Sequence, residues 1–141
     1  MTDAAAYTGG CYCGAVRYRI DGPLRDIVCC HCSQCRKTTG HFMPAATAWR
    51  DTFSLTEERG LKWYRASEIA GRGFCGECGC SLFWRSDEGE TISVTAGTLD
   101  DSSDLKTIGH IFVSDKGGYY TLDSALPQYP QDDDGAFPMP E

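Results

Sequence analysis

The sequence lacks the long apolar runs that membrane proteins and secretory leaders require. No stretch approaches the roughly 18 consecutive apolar residues of a transmembrane helix, so we expect none. Residues 1–7 contain no basic segment and no long apolar run, and we therefore expect no secretory signal peptide. These absences predict a cytoplasmic protein that does not bind membranes.

Basic residues are also scarce. The chain carries 13 lysines and arginines against 20 acidic residues, a net charge of −7. Proteins that bind nucleic acid usually present a basic stripe, so the sequence predicts no nucleic-acid partner. The longest acidic run lies at 132–134. We predict a single zinc-binding domain over 1–141, with an extended acidic and proline-rich tail at about 131–141. The sequence assigns no oligomeric state.

Long helical periodicity is absent, and short alternating segments take its place. Val16, Tyr18 and Ile20 alternate with polar residues, which predicts a half-buried strand over 15–20. Similar strands are predicted near 42–49, 61–65, 81–85, 91–95 and 108–113, with a four-residue hairpin loop at 86–89. One helical turn is predicted to begin at Ser33, which can cap it. The sequence therefore predicts a mainly β fold with little helix.

Cysteine is the residue type in excess. There are nine, and an odd number argues against a full disulfide framework. In a reducing cytosol, clustered cysteines are metal ligands or catalytic thiols. Cys11 and Cys13 form one glycine-flanked pair, and Cys75 and Cys78 form another. Because four thiolates complete the tetrahedral coordination of zinc, we predict that these residues form a closed structural site joining distant parts of the chain.

A second set of cysteines lies within one short segment. Cys30, Cys32 and Cys35 have the spacing C-x-C-x-x-C, which can place three sulfurs around one metal ion. Three protein ligands leave the fourth position free, as in catalytic zinc sites. Three thiolates also suit a soft exogenous thiol as the fourth ligand. We therefore predict a second, catalytic zinc site.

The spacing also allows a closed second site or a cluster without metal. His31, Cys29 or Cys80 could supply a fourth ligand, or the cluster could hold no metal. Successive residues of an extended segment point in opposite directions, which favours His31 as a bystander. The residues left over from the two sites, Cys29 and Cys80, are expected to be buried or neighbouring thiols without a catalytic role.

Other polar residues follow the second cluster at once. Arg36 and Lys37 could offset its negative charge and attract a ligand that carries carboxylates. His41 follows the cluster by six positions and could serve as an acid or base near a substrate. The alternative for each is an ordinary surface or packed side chain.

Three motifs together resemble a known family. They are GGCYCG at 9–14, CHCSQCRK at 30–37 and RGFCGECG at 72–79. With GTLDD at 97–101, HIFV at 110–113 and LPQY at 126–129, the chain resembles the glutathione-dependent formaldehyde-activating enzyme family, which also includes centromere protein V. The likeness covers nearly the whole chain, in order. One departure is Cys80, where a small hydroxyl residue would be expected.

The resemblance implies a fold, two metal sites and an activity. The fold is a set of small antiparallel sheets packed together and pinned by zinc. Structural zinc would be bound by Cys11, Cys13, Cys75 and Cys78, and catalytic zinc by Cys30, Cys32 and Cys35. The activity would be that of a carbon–sulfur lyase acting on a glutathione-type thiol and formaldehyde or a related small aldehyde. The alternative is a non-catalytic, zinc-stabilised scaffold module that binds a protein partner.

Overall fold

The computed structural model describes residues 6–141, and most of its regular structure is strand. The helix α1 spans Ser33–Thr39, and three short 3-10 helices span Arg50–Thr52, Ala96–Thr98 and Val113–Asp115. The strands β1 to β10 span, in chain order, Tyr7–Gly10, Arg17–Ile20, Arg25–Cys30, Met43–Trp49, Phe53–Glu57, Leu61–Arg65, Ala70–Cys75, Ser81–Ser86, Thr91–Thr95 and Thr107–Ile111. The mainly β fold with little helix is confirmed.

The strands form one small and one large sheet. The small sheet has the order β1-β2-β5, and the large one has the order β10-β3-β4-β9-β8-β7-β6. Neighbours are antiparallel throughout, except that β10 runs parallel to β3. The resemblance implied antiparallel sheets, so this edge pair is a difference. Parallel partners must be far apart in sequence, and nearly eighty residues separate these two strands.

Six strands lie where the alternation predicted them, and four were missed. Two of the four, β1 and β7, contain pairs of glycines, which are normally depleted in strands. In β7 a small residue is required by packing, because a Cβ atom at Gly73 would lie 2.8 Å from the Phe83 ring. The other two missed strands are β3, which ends in the cysteines of the second cluster, and β5, which follows directly after the short helix Arg50–Thr52.

The hydrophobic core lies between the two sheets. Tyr18 of β2 is 1% exposed, stacks on Phe53 of β5 at 5.7 Å and meets Phe83 of β8 edge-on at 5.4 Å. Such aromatic pairs contribute about 0.5–1.5 kcal/mol each beyond the burial of their area. The buried Tyr18 hydroxyl is satisfied by Thr98 Oγ1 at 2.7 Å. The strand ends that carry the cysteines are thus held by a packed core.

Residues 131–141 contain no helix or strand but do contact the rest of the protein. Trp49 Nε1 donates to the Pro140 carbonyl, and the Phe137 ring lies against Gly109. The division into a domain and a tail stays a prediction. None of the helices within 6–141 has the length and apolar character needed to cross a membrane.

Candidate metal centres

Four cysteine sulfurs gather where the β1–β2 turn meets the β7–β8 turn. The ligand atoms of Cys11, Cys13, Cys75 and Cys78 all lie within 4.8 Å of one another. Cys13 Sγ is 3.7 Å from Cys11 Sγ and 3.8 Å from Cys75 Sγ. Tetrahedral zinc with bonds of about 2.3 Å requires sulfurs roughly 3.8 Å apart, so the donor set fits zinc. All nine cysteines are free thiols, so no disulfide competes with this interpretation.

Backbone geometry builds this closed cluster. The Val16 N–H donates to Cys11 Sγ at 3.2 Å, and the N–H groups of Glu77 and Cys78 donate to Cys75 Sγ at 3.4 Å. Gly14 and Gly79 have φ near +80°, a conformation that favours glycine and lets the chain turn at each pair. The glycines that flank the cysteines therefore have a structural reason to be there.

The second group of sulfurs lies where β3 ends and α1 begins. The Sγ atoms of Cys30, Cys32 and Cys35 lie within 4.8 Å of one another, and within the described chain no fourth cysteine, histidine or carboxylate joins them. The helix begins at Ser33 as predicted, but the N-cap is Cys32, whose Sγ accepts from the Cys35 N–H at 3.3 Å. Helix capping thus holds the Cys32 sulfur against the first turn of the helix that carries Cys35.

Hydrogen bonds among the three thiols shift their pKa values in opposite directions. Hydrogen bonding to Cys30, and then to Cys35, lowers the pKa of Cys32 far below the value of an ordinary thiol. Hydrogen bonding to Cys32, and then to Cys35, raises the pKa of Cys30 far above it. A thiolate therefore forms at one sulfur while a neighbour keeps its proton. Full ionisation of all three requires a cation among them, which is the condition that a bound metal ion supplies.

His31 lies between two of these cysteines in sequence but apart from their sulfurs. It is fully buried, with Nε2 2.9 Å from His110 Nδ1 and Nδ1 2.6 Å from the Tyr120 hydroxyl. Burial, and then the neighbouring His110, lower the pKa of His31 to about 4, so the ring is neutral near pH 7. Because both ring nitrogens already have partners, His31 is a poor candidate for a fourth metal ligand.

The two remaining cysteines lie outside both clusters. Cys29 is 2% exposed, and burial raises its pKa to about 12. Cys80 packs against the core, and burial followed by the charge of Cys78 raises its pKa. The raised pKa of each favours the protonated thiol, and their expected lack of a catalytic role stays a prediction.

Arg72 was quoted in a motif but given no role by the sequence analysis. Its Nη2 donates to Cys35 Sγ at 3.0 Å, and its Nε donates to Gln34 Oε1 at 2.6 Å. The side chain is 9% exposed. No local signal pointed to this contact, because Arg72 stands between Gly71 and Gly73 just before the second cysteine pair. Glycines on both sides are typical of a turn rather than of a strand that crosses a site.

A cavity of about 620 Å³ lies between α1 and the β6–β8 part of the large sheet. Arg72, Gln34, Lys37 and Tyr64 help to line it, together with Met43. Met43 pairs with Cys30 in the β3–β4 ladder, and its sulfur is 3.8 Å from Arg72 Nη1. Residues in contact with the three-cysteine cluster therefore form part of the cavity wall.

The structure separates the predicted pair of cations. Lys37 lines the cavity, whereas Arg36 is not among the lining residues, and its Nε donates to the Asp115 carbonyl at 3.4 Å. Both lie in the last turn of α1, where positive charge is favourable near the helix C-terminus. Their role in ligand binding stays a prediction, and Lys37 is the better placed.

His41 also lies outside the cavity wall. Its Nδ1 is 2.8 Å from the Tyr119 hydroxyl, which itself donates to the Gly40 carbonyl at 2.9 Å. The hydroxyl has one proton, so it must accept from Nδ1–H, and Nε2 is left as the basic nitrogen. The ring packs on Phe42 and Tyr120, on the side of α1 that also holds His31. Its acid–base role stays a prediction.

Fold and sites together define a class: a mainly β protein with a four-cysteine cluster, a three-cysteine cluster and a cavity beside the second. The sequence profile of the glutathione-dependent formaldehyde-activating enzyme family matches residues 6–115. The chain belongs to that family.

Two individual relatives are informative. The chain is 31% identical, over 85 residues, to a Schizosaccharomyces pombe protein named an uncharacterized lyase, and the match covers 60% of this chain and 61% of the relative. The chain thus spans about three fifths of that relative's length. A crystal structure of a Rhodobacter sphaeroides protein is similar at a TM-score of 0.60 and 27% identity, over 73% of this chain and 98% of the other.

Proposed function

We propose that the protein is a zinc-dependent carbon–sulfur lyase of the glutathione-dependent formaldehyde-activating type. It would join a glutathione-type thiol to formaldehyde or a related small aldehyde. The observation that carries this proposal is the convergence of three thiols, with no fourth protein ligand among the described residues, beside a cavity of about 620 Å³. Family membership and the lyase name of the relative support it.

The residues present fit two zinc sites with different roles. Cys11, Cys13, Cys75 and Cys78 would hold a structural zinc, and Cys30, Cys32 and Cys35 would hold a catalytic one. When bound in the open site, zinc supplies a thiophilic Lewis acid that favours the ionised form of a thiol. A free alkyl thiol has a pKa of about 8.5 and is mostly protonated at neutral pH.

The reaction is an addition in which nothing is oxidised. A carbon–sulfur bond forms between the thiol sulfur and the aldehyde carbon, the carbonyl π bond breaks, and the thiol proton ends on the new hydroxyl oxygen. The protein must therefore bind the thiol, orient its sulfur and let one proton move. The cavity can accept the part of the thiol molecule that lies beyond its sulfur, and Lys37 on its wall can attract a carboxylate.

His41 is the candidate for the proton step. Its Nε2 keeps a free lone pair when Nδ1–H donates to Tyr119, so this nitrogen can accept a proton. The Tyr119 contact orients the ring and selects this tautomer. The role is testable, since His41→Gln should lower kcat more than the affinity for the thiol.

The experiment that tests the proposal is turnover of glutathione and formaldehyde against the uncatalysed rate, with metal content measured on the same sample. We expect two zinc ions per chain and a rate above background that disappears in the Cys35→Ser variant. Two zinc ions with no rate above background, for formaldehyde and for other small aldehydes, would refute the enzyme and favour the scaffold alternative.

A further inference from the structure

Arg72 is a buried cation that no carboxylate within residues 6–141 neutralises. It is 9% exposed, and over residues 6–141 it forms no ion pair with an aspartate or glutamate within 4.0 Å. The arginines that do form ion pairs are at the surface. A charge removed from water is costly unless an opposite charge compensates it. The nearest group able to provide that charge is the Cys35 sulfur, 3.0 Å from Arg72 Nη2.

The charge of the cluster is complementary to that of Arg72. Three thiolates around a divalent ion carry a net charge of −1, and a fourth, exogenous thiolate would bring it to −2. The guanidinium of Arg72, 3.0 Å from Cys35 Sγ, lowers the magnitude of each of these negative charges by one. It also donates an N–H directly to a ligand sulfur. Donors to ligand atoms tune both the affinity and the charge of a metal site.

We propose that Arg72 is the counter-ion of the Cys30, Cys32 and Cys35 cluster, and that its charge is what allows a fourth, anionic thiol ligand to bind there. This inference rests on the proposed function, because it assumes a metal ion in the open site. Arg72 acts through Cys35 and is a positioning residue. It makes the site selective for anionic over neutral ligands.

The position of Arg72 is fixed independently of any ligand. Its strand, β7, pairs with β6 and β8, and its Nε is held by Gln34 of α1 at 2.6 Å. Gln34 in turn donates to the Ala66 carbonyl at 2.9 Å. The guanidinium is therefore pre-organised between the sheet and the helix that carries Cys35, and binding need not order it.

The test uses the full-length protein with Co²⁺ in the open site, because thiolate-to-cobalt charge-transfer absorption reports the ligand. Wild type and Arg72→Gln are titrated with 2-mercaptoethanol, which lacks a carboxylate, and with imidazole, which is neutral. We expect Arg72→Gln to weaken thiol binding at least about tenfold, the effect of an opposite charge within about 4–6 Å. Imidazole binding should change less than about threefold.

Two further variants separate charge from structure. Arg72→Lys keeps the charge and should bind the thiol within about threefold of wild type. Arg85→Gln removes an equal charge from neighbouring β8, where Arg85 lies 4.0 Å above the Trp63 ring, and should leave both titrations unchanged. Equal weakening of thiol and imidazole in Arg72→Gln, or no weakening of either, would overturn the proposal.

The proposal stays testable even if the Arg72→Gln variant does not fold or does not bind metal. If Arg72→Gln does not fold or does not bind the second cobalt ion, Arg72→Lys decides alone. Wild-type thiol affinity in that variant supports the counter-ion, and a loss of tenfold or more overturns it. The titrations contain no aldehyde and require no turnover, so absence of lyase activity would refute the proposed function and leave this result intact.

Discussion

The two cysteine clusters take their hydrogen bonds from different parts of the protein. The closed cluster accepts from the backbone N–H groups of Val16, Glu77 and Cys78. The open cluster accepts from one backbone N–H, that of Cys35, and from the side chain of Arg72. Backbone donors are fixed by the turns and survive most substitutions. A guanidinium can be removed by one mutation, so the side-chain hydrogen bond to the open cluster can be lost by a single substitution, whereas the backbone hydrogen bonds to the closed cluster cannot.

The largest expected effect is loss of the closed cluster. Cys75→Ser removes a fully buried ligand at the end of β7. Structural zinc contributes about 10 kcal/mol or more to folding in small domains, which is comparable to the whole stability of a domain. We expect no cooperative thermal transition by circular dichroism. A protein that melts at the wild-type temperature would contradict the structural role of this site.

A smaller effect is expected from the open cluster, and helix capping allows a matched pair. Cys32→Ser removes a sulfur but keeps a residue that can cap α1, whereas Cys32→Ala removes both. Both variants should lose one metal ion per chain and all turnover. The alanine variant should also lose about 1 kcal/mol of cap stabilisation, which lowers the melting temperature by roughly 4 °C relative to serine.

Metal analysis and thermal melts of this pair sharpen the comparison. If either variant unfolds as completely as Cys75→Ser, both clusters are structural and the proposed difference between them is wrong. If both keep two metal ions, a ligand other than these three cysteines completes the site.

Next in size is the effect of the cations on α1. Lys37→Ala should weaken glutathione binding up to about fivefold, because Lys37 lines the cavity and a carboxylate contact there is partly exposed. Arg36→Ala is the matched control: it lies one residue away and donates to the Asp115 carbonyl instead. Isothermal titration with both variants measures the difference. Weaker binding in Arg36→Ala than in Lys37→Ala would reverse the assignment.

The smallest effect is expected at Cys80, the departure from the family pattern. Its sulfur joins neither cluster, and it donates a weak hydrogen bond to the Ser81 carbonyl at 3.6 Å. Cys80→Ser should therefore keep two metal ions and alter stability by less than about 1 kcal/mol. Loss of the second metal ion would make Cys80 a ligand and close the open site.

The two close-spaced cysteine pairs and the trio could be recognised in the sequence because spacing is a local property. Three sulfurs within Cys30–Cys35 can meet whatever the rest of the fold does. The strands β2 and β9 were likewise evident, since buried and more exposed residues alternate along most of each. Alternation and spacing are written within a few neighbouring residues.

Arg72 and the edge pair β3–β10 could not be inferred in the same way. Arg72 contacts Cys35, which lies 37 positions away in the sequence. Its strand contains glycines that are unusual in strands, and close packing against the Phe83 and Trp63 rings explains them. The parallel pairing of β10 depends on which edge of the sheet is free after β3 and β4 have paired. Tertiary partners decide both features, and no local pattern encodes them.

The sequence span of each cluster has a consequence for the order in which metal is acquired. Cys13 and Cys75, whose sulfurs lie 3.8 Å apart, are separated by 62 positions, whereas Cys30 and Cys35 are separated by five. By loop-closure entropy alone, joining the distant pair costs about 2.2 kcal/mol more than joining the local one. On a growing chain the local trio is complete before Cys75 has been synthesised. The site proposed for catalysis can therefore capture metal from an unfolded chain, while the site that holds the fold together must wait for the sheets to meet.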